Sequence, residues 1–255
     1  MIELKDVAFT LDENLTVEVD DLEISESEIV GITGNGGSGK SSLLKLLYGD
    51  IKDFEGCYFF DGKNISNISK KERKVIFYFL PPIADFNPED TLFDHVIRGQ
   101  LNYKKFLNPY SPAQKEMTSD IIHSLNLSHL SNHRLKSLSH SIIKMANLAQ
   151  GINSQCKVLL MDSPELFLDF RQKITLTRNL KKYAATGKIS IIVASSDLDF
   201  LIKLCDKIIF LKNGKIFATG HSEIITDSLI KEVFGVQSII SKNIISTLPE
   251  IHIIE

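Results

Sequence analysis

The opening of the chain alternates polar and apolar residues in short runs. Ile2, Leu4 and Val7 begin the pattern, and residues 15–19 and 29–33 continue it. A period of two is typical of strands that bury one face. The first third of the chain is therefore predicted to be mostly β-structure.

Helical spacing first appears after the third of these strands, at about residues 40–49. Another strand is predicted at residues 57–60, followed by a charged helix and a strand at residues 75–79 that stops before two prolines. Residues 83–150 lack strand signals and show helical spacing, as in residues 117–125. We interpret this stretch as a helical lobe inserted into the core.

The second half of the chain alternates strands with a helix. Residues 158–161 and 189–194 are short apolar runs, and the stretch between them has helical spacing over residues 169–185. This order predicts a β-α-β unit and a parallel sheet. Two further predicted strands flank Asn213 and Gly214, a pair that is typical of a two-residue hairpin turn.

Composition narrows the class of protein. The chain has 255 residues, enough to bury a substantial core. Its three cysteines, Cys57, Cys156 and Cys205, show no CxxC spacing, which argues against a disulfide framework or a zinc site and favours a reducing compartment. The start of the chain has no signal-peptide pattern and the apolar runs are strand-sized, so we expect no membrane span.

The charge pattern gives little reason to expect a nucleic-acid partner. The formal net charge is -3, which does not attract polyanions. The one basic cluster is short and is interpreted as a solvated face. It consists of Lys70, Lys71, Arg73 and Lys74.

A glycine-rich segment between a predicted strand and a predicted helix matches the phosphate-loop pattern GxxxxGK[ST]. It reads Gly34, Asn35, Gly36, Gly37, Ser38, Gly39, Lys40 and Ser41, with Ser42 next. Small residues let main-chain amides point at phosphate oxygens at a helix N-terminus. The lysine would reach the terminal phosphates and Ser41 would offer its hydroxyl to magnesium. The alternative, a glycine-rich turn without a ligand, is much less favoured.

A carboxylate is predicted to belong to the same site. The apolar strand at residues 158–161 ends in Asp162, with Pro164 just behind it. A carboxylate there would hold the shell of a magnesium ion. Together with Ser41 it predicts a nucleoside triphosphate and Mg²⁺ as the ligands.

From this point the sequence resembles the ATP-binding subunits of ABC transporters along nearly its full length. That family places a strand ending in Gln, an LSGGQ segment, a DEP strand end, an LD pair and a strand ending in His-Asp after its phosphate loop. The corresponding residues here are 79–82, 138–142, 162–164, 168–169 and 195–197. The motif order is intact, although several motif residues differ.

The resemblance implies an α/β fold with a P-loop NTPase core, a mainly parallel sheet, an N-terminal antiparallel β-subdomain and the inserted helical lobe. It implies one nucleotide-binding domain, with residues 1–82 and 151–221 as core and β-subdomain, 83–150 as lobe and 222–255 as a C-terminal tail. Its ligands would be ATP and Mg²⁺. Its partners would be transmembrane permease subunits and a second ATP-binding subunit, at the inner face of the cell membrane on the cytoplasmic side.

Three reactive positions depart from the family. Pro82 stands in place of a Gln, which in the family contacts magnesium and the attacking water and relays contact to the membrane subunit. Ser163 stands in place of the Glu that polarises the water. Ser196 stands in place of the His that contacts the γ-phosphate. Loss of a general base typically costs on the order of 10² to 10⁴ in rate. We therefore expect impaired hydrolysis.

An active ATPase with substitute residues is the alternative. The candidate carboxylates are Glu165, Asp169 and Asp197. Glu165 is the nearest in sequence to the position that Ser163 occupies, but two residues along a chain need not point the same way. A soluble regulatory ATP-binding protein without a membrane partner is a third possibility.

The signature segment, which in the family caps the ATP of the opposite subunit, is also altered. Ser139 is retained as a phosphate contact, and Asp169 of the LD pair is predicted to contact nucleotide as well. His140 and Ser141 replace both glycines, and Ile142 stands at the Gln position. An identical pair would contain two impaired sites, which favours a heterodimer or a regulatory role.

Two finer predictions concern the base and the cargo. Leu11 stands where the family often places an adenine-stacking aromatic residue, and Phe9, two residues earlier, is favoured as a core residue. Residues 220–225 and 229–236 look like the end of subunits that power uptake of iron siderophores, haem or cobalamin. The alternative for this tail is a generic amphipathic helix with an edge strand.

Overall fold

The computed structural model describes residues 1–12, 15–103 and 109–254, with side chains described for 1–10, 15–100 and 109–254. Its strands are β1 (Ile2–Asp12), β2 (Leu15–Ile24), β3 (Ile29–Gly34), β4 (Glu55–Phe60), β5 (Lys63–Asn64), β6 (Phe77–Leu80), β7 (Val158–Asp162), β8 (Ser190–Ala194), β9 (Lys207–Lys212), β10 (Lys215–Gly220), β11 (Gln237–Lys242) and β12 (Pro249–Ile254). The α-helices are α1 (Lys40–Tyr48), α2 (Lys70–Ile76), α3 (Leu92–Ile97), α4 (Pro112–Ser124), α5 (His140–Asn153), α6 (Phe170–Ala184), α7 (Leu198–Leu204) and α8 (Asp227–Phe234). In these parts of the chain, every helix is too short or too polar to cross a bilayer.

Ten strands form one continuous sheet in the order β5-β4-β1-β2-β10-β9-β3-β8-β7-β6. The strands from β9 to β6 pair in parallel. The N-terminal strands β1, β2 and β4 pair antiparallel. The two parts join where Lys215 of β10 pairs with Glu18 of β2. The predicted α/β fold with a mainly parallel core and an antiparallel β-subdomain is confirmed.

The central strands are covered on both faces. Every residue of β3, β7 and β8 is buried. Because side chains alternate across a strand, Ile191 and Val193 of β8 join the hydrophobic cluster that contains α5, α6 and α7. Ile192 joins the cluster that contains Leu43 of α1 and the β-subdomain. Fully burying one such side chain stabilises the fold by about 1.5–3 kcal/mol.

The region between β6 and β7 is helical where the structure describes it, as the spacing predicts. Helix α5 continues to Asn153, past the predicted end of the lobe at residue 150. Asn153 anchors it, because its amide donates to the Val96 carbonyl at 2.9 Å and accepts from Gln100 at 2.8 Å. These buried hydrogen bonds of Asn153 hold the helix in one position against its neighbours.

The prediction of a strand beginning at residue 75 was wrong by two residues. Helix α2 runs through Ile76, and Ser69 and Glu72 form a reciprocal capping box at its start. Strand pairing with β7 begins only at Phe77, opposite Val158. The capping box sets the start of the helix at Lys70, and pairing with β7 sets its end at Ile76. Hydrophobic periodicity alone gives neither boundary.

Arg73 departs from the predicted solvated face of the basic cluster. Its guanidinium donates to the carbonyls of Ile65 at 2.7 Å, Ile68 at 3.0 Å and Gly49 at 3.4 Å. Gly49 is the left-handed C-cap of α1. Arg73 therefore ties α2 to the end of the helix that follows the phosphate loop.

Replacing Arg73 with Met should lower the free energy of unfolding by about 1–3 kcal/mol, because three main-chain carbonyls lose a charged donor. Urea denaturation would measure the change. Lys70→Met on the same helix is the matched control, since Lys70 is exposed, and it should change stability by less than about 0.5 kcal/mol. Equal effects of the two substitutions would contradict this role of Arg73.

Candidate nucleotide-binding site

The phosphate loop connects the buried strand β3 to α1. Gly34 and Gly39 have positive φ angles of 144° and 101°, and Gly39 is the N-cap of α1. Lys40 is the first residue of the helix, and its ammonium donates to the carbonyls of Gly34 and Asn35, both at 2.8 Å. The loop therefore wraps around the lysine at the positive end of the helix dipole, where an anion is favoured.

The loop has the chemical properties that a phosphate group requires. The Ser38 hydroxyl is buried and has no hydrogen-bond partner among the described residues. A Cβ atom added at Gly36 or Gly37 would meet no atom within 4 Å, so the space beside them is open. An unpaired hydroxyl beside an open loop at a helix N-terminus fits a phosphate oxygen.

Asp162, the last residue of β7, lies near the loop lysine. It is buried, and its carboxylate opposes the lowering of the Lys40 pKa that burial of the ammonium causes. The Ser163 hydroxyl donates to Asp162 at 3.3 Å. The predicted partners Lys40 and Asp162 are therefore brought together, in a setting where charges interact more strongly than in water.

The three substituted positions lie beyond the carboxyl ends of parallel strands, at the same edge of the sheet as the loop. Pro82 follows β6, Ser163 follows β7 and Ser196 follows β8. Ser196 and Asn35 line one cleft of about 460 Å³. Binding crevices of open parallel sheets lie at this edge. The three residues thus share the edge of the sheet at which the loop begins, and none of them is an acid, a base or an amide.

Glu165 is the candidate substitute carboxylate that lies deepest. Its side chain is 7% exposed, and one carboxylate oxygen accepts a 2.6 Å hydrogen bond from Ser195. The other oxygen is buried without a hydrogen-bond partner among the described residues. Burial raises the pKa of Glu165 above its usual range. The other two candidates are already engaged, because Asp197 pairs with Lys173 at 2.7 Å and Asp169 caps a helix.

Sequence reasoning missed Lys144, which lies on α5 and is 4% exposed. Its ammonium donates to the Pro82 carbonyl at 2.8 Å and to the Pro81 carbonyl at 3.4 Å. Burial lowers its pKa to about 8, and the negative charges of Glu165 and Asp162 oppose that lowering. A lysine between apolar neighbours in a helix is a weak signal, because long side chains usually reach solvent.

The signature residues and Asp169 are found at helix N-termini. Ser139 is the N-cap of α5 and accepts from the Ile142 amide at 3.4 Å. The Asp169 carboxylate accepts from the Gln172 amide at 2.8 Å at the start of α6. Both side chains thus have a local capping role, and their contact with nucleotide stays a prediction.

Phe9 is buried in the core of the β-subdomain, which confirms the interpretation of it as a core residue. The side chain of Leu11 lies outside the described residues. The tail reaches the loop from the other side, because the Asn35 amide donates to the Val233 carbonyl on α8 at 3.0 Å. The tail contains helix α8, and two antiparallel strands, β11 and β12, follow it where the alternative interpretation of the tail has one edge strand.

A family model described as ABC transporter matches residues 17–165, which is more than half of the chain. The chain belongs to the ABC transporter family. The match contains both the phosphate loop and the strand that ends in Asp162. It is an ATP-binding domain of this family.

Relatives of this ABC domain match over most of their length. An uncharacterized ABC transporter ATP-binding protein of Methanocaldococcus jannaschii is 29% identical over 86% of this chain and 85% of its own. The ferric enterobactin transport ATP-binding protein FepC of Escherichia coli is 25% identical over 94% of this chain and 88% of its own. The petrobactin import ATP-binding protein FpuC of Bacillus anthracis is 25% identical over 93% of this chain and 88% of its own.

Solved structures confirm the fold of the ABC domain. A metal-chelate type ABC transporter in an inward-facing conformation superimposes with a TM-score of 0.82 at 18% identity, over 99% of this chain and 96% of that one. A dimeric ATP-binding cassette bound to ADP and phosphate superimposes with a TM-score of 0.75 at 22% identity, over 87% of this chain and 98% of that one. These likenesses support the fold of the domain, not the chemistry at individual residues.

Gly34→Ala should destabilise the ABC domain by about 2 kcal/mol or more, because overpacking of this kind forces the main chain to move. The added Cβ would lie 2.2 Å from the Leu211 carbonyl oxygen on the neighbouring strand. Gly36→Ala is the matched control within the same loop, since its Cβ meets open space. Urea denaturation should show a loss for Gly34→Ala and a change below about 0.5 kcal/mol for Gly36→Ala. A stable Gly34→Ala protein would contradict the close approach of the two strands.

Proposed function

We propose that this ATP-binding subunit serves an importer of iron siderophores, haem or a related metal chelate, and that it binds Mg·ATP but hydrolyses it slowly. One observation supports the proposal. The chain keeps the phosphate loop and Asp162, while Pro82, Ser163 and Ser196 follow the neighbouring strands where the family has Gln, Glu and His. Binding chemistry is retained where hydrolytic chemistry is missing.

The binding half of the proposal assigns phosphate contacts to the loop from Gly34 to Ser42. Main-chain amides and Lys40 would hold the phosphates. Ser41 and Asp162 would hold Mg²⁺, which supplies positive charge to the phosphates when it is bound. Ser139 and Asp169 are proposed to contact the nucleotide at a subunit interface. The unpaired Ser38 hydroxyl supports a ligand with acceptor oxygens in the loop.

The proposal of slow hydrolysis follows from the chemistry of the side chains of Pro82, Ser163 and Ser196. Proline has no side-chain donor or acceptor, and a serine hydroxyl is a far weaker base than a carboxylate. Ser196 is too short to reach as far as a histidine. Losses within one catalytic unit do not simply multiply, so we expect a rate well below that of ordinary enzymes.

The metal-chelate cargo is proposed from the relatives and from the tail. FepC and FpuC are named for ferric enterobactin transport and petrobactin import, and each covers more than nine-tenths of this chain. A chain similar to both over more than nine-tenths of its length fits a subunit of the same kind.

The proposed partners are transmembrane permease subunits and a second ATP-binding subunit, with this chain peripheral on the cytoplasmic face of the membrane. A heterodimer is favoured, because His140 and Ser141 give the signature segment side chains where close approach to a γ-phosphate needs glycine. A competent second subunit would supply what two copies of this chain lack.

One observation favours a second candidate function, an ATPase that uses Glu165 as its base. Burial raises the pKa of this carboxyl group, and a base is most effective when its pKa lies near the working pH. Its unpaired oxygen is a proton acceptor without a partner in the described part of the chain.

The purified chain should bind Mg·ATP and turn it over far more slowly than about 1 per second, the low end of typical enzyme rates. Calorimetry would give the affinity, and phosphate release would give the rate. Lys40→Ala should abolish most of the binding, because it removes the loop cation. Turnover at an ordinary rate that Glu165→Gln abolishes would instead establish the second candidate. ATP binding that is unchanged in Lys40→Ala would overturn both.

The chain should remain a monomer in Mg·ATP at micromolar concentration, because its altered signature segment caps a second nucleotide poorly. Sedimentation velocity would measure the association. Restoring glycine at both positions, His140→Gly with Ser141→Gly, should increase ATP-dependent dimerisation. A stable dimer of the unaltered chain in Mg·ATP would contradict the preference for a heterodimer.

A further inference from the structure

Lys144 and Glu165 are buried charged residues without a role in the family pattern on which the proposed function rests. They come from different parts of the fold, since Lys144 is in the second turn of α5 and Glu165 follows β7. Both are more than nine-tenths buried. Lysine and glutamate are almost never buried to this degree unless they are paired or functional, so their joint presence beside the nucleotide site requires an explanation.

Electrostatic interactions connect this pair to the phosphate loop. The negative charge of Asp162 opposes the lowering of the pKa that burial causes at both Lys40 and Lys144, and the charge of Glu165 opposes it at Lys144 as well. The same carboxylate therefore lies within electrostatic range of two ammonium groups, one from the loop and one from the helical lobe. Because the surroundings are buried, a change of charge at Asp162 or at a bound phosphate acts on Lys144 with little screening.

Lys144 is held in place by the main chain of the residues that follow β6. The carbonyls of Pro82 and Pro81 accept from its ammonium. Pro82 has no side chain that could contact a nucleotide, but its carbonyl fixes a cation close to the same edge of the sheet. Fixed, buried positive charge is what a terminal phosphate binds most strongly.

Glu165 is not fully satisfied by its neighbours. Ser195 donates to one of its oxygens, while the other is buried and lacks a partner in the described structure. A negative charge here attracts Lys144 and repels phosphate. The charge of Glu165 therefore opposes the effect of Lys144 on a bound nucleotide.

We infer that Lys144 is a specificity-determining residue that favours ATP over ADP, and that Glu165 weakens this preference. The inference rests on the proposed binding of ATP at the loop. The terminal phosphate adds negative charge that ADP lacks, so a buried cation held by the Pro82 carbonyl at this edge of the sheet stabilises ATP more than ADP. Lys144 thereby supplies, from the helical lobe, positive charge at a site where Pro82 and Ser196 supply none.

Calorimetric titration of the full chain with Mg·ATP and with Mg·ADP tests the inference. Lys144→Met keeps the aliphatic stem and removes the charge, so ATP affinity should fall about tenfold, the factor that about 1.4 kcal/mol produces. ADP affinity should fall no more than about threefold. Lys115→Met, on the exposed surface of the lobe, is the matched control and should change neither affinity.

Glu165→Gln should act in the opposite direction and raise the ratio of ATP affinity to ADP affinity severalfold. A general loss of structure cannot raise the ratio of ATP affinity to ADP affinity, so an increase in Glu165→Gln reports on charge. If Lys144→Met does not fold, Glu165→Gln alone tests the inference. Equal losses of ATP and ADP affinity in Lys144→Met, or an unchanged ratio in Glu165→Gln, would overturn the inference alone. Failure of the unaltered chain to bind either nucleotide would overturn the proposed function and the inference together.

Discussion

The parallel pairing of β3, β8, β7 and β6 is the constraint on which the rest of the structure depends. Parallel strands place their carboxyl ends at one edge, so the phosphate loop, Asp162, Pro82 and Ser196 come to the same place although they are far apart in sequence. The buried side chains of these strands fix the register, because a slip of one residue would exchange the side chains that pack in the two hydrophobic clusters on either face. Site geometry thus follows from core packing.

The same constraint explains why the shape of the loop does not depend on the side chains at the strand ends. The loop is positioned by glycine φ angles and by main-chain hydrogen bonds, such as that of the Gly214 amide to the Ser38 carbonyl at 3.2 Å. The residues Pro82, Ser163 and Ser196 at the strand ends leave this framework in place. At Pro82 the main chain even gains a role, since its carbonyl accepts from Lys144.

Much of the fold could be predicted from the sequence, because the signals are local. Apolar runs gave β7 and β8, the Asn213-Gly214 pair gave the hairpin, and the phosphate-loop pattern gave the start of α1. The start of β6 at Phe77 could not be predicted, since it depends on a capping box and on pairing with a distant strand. The motif residues of the candidate site could be named for the same reason, and the structure brings Lys40 and Asp162 to the same edge of the sheet. Lys144 was missed because its burial depends on how α5 packs against β6, and hydrophobic periodicity does not predict that packing.

The contrast between binding and catalysis follows from the kinds of group that each requires. Phosphate binding uses main-chain amides, a helix dipole and one lysine, so it tolerates change at the strand ends. Hydrolysis requires particular side chains within hydrogen-bonding distance of one water molecule. On the proposed function, a chain that keeps the first set and lacks the second changes the state of an assembly by holding a nucleotide. Buried charges such as Lys144 and Glu165 would then matter more than a base does, because the identity of the bound nucleotide would be the signal.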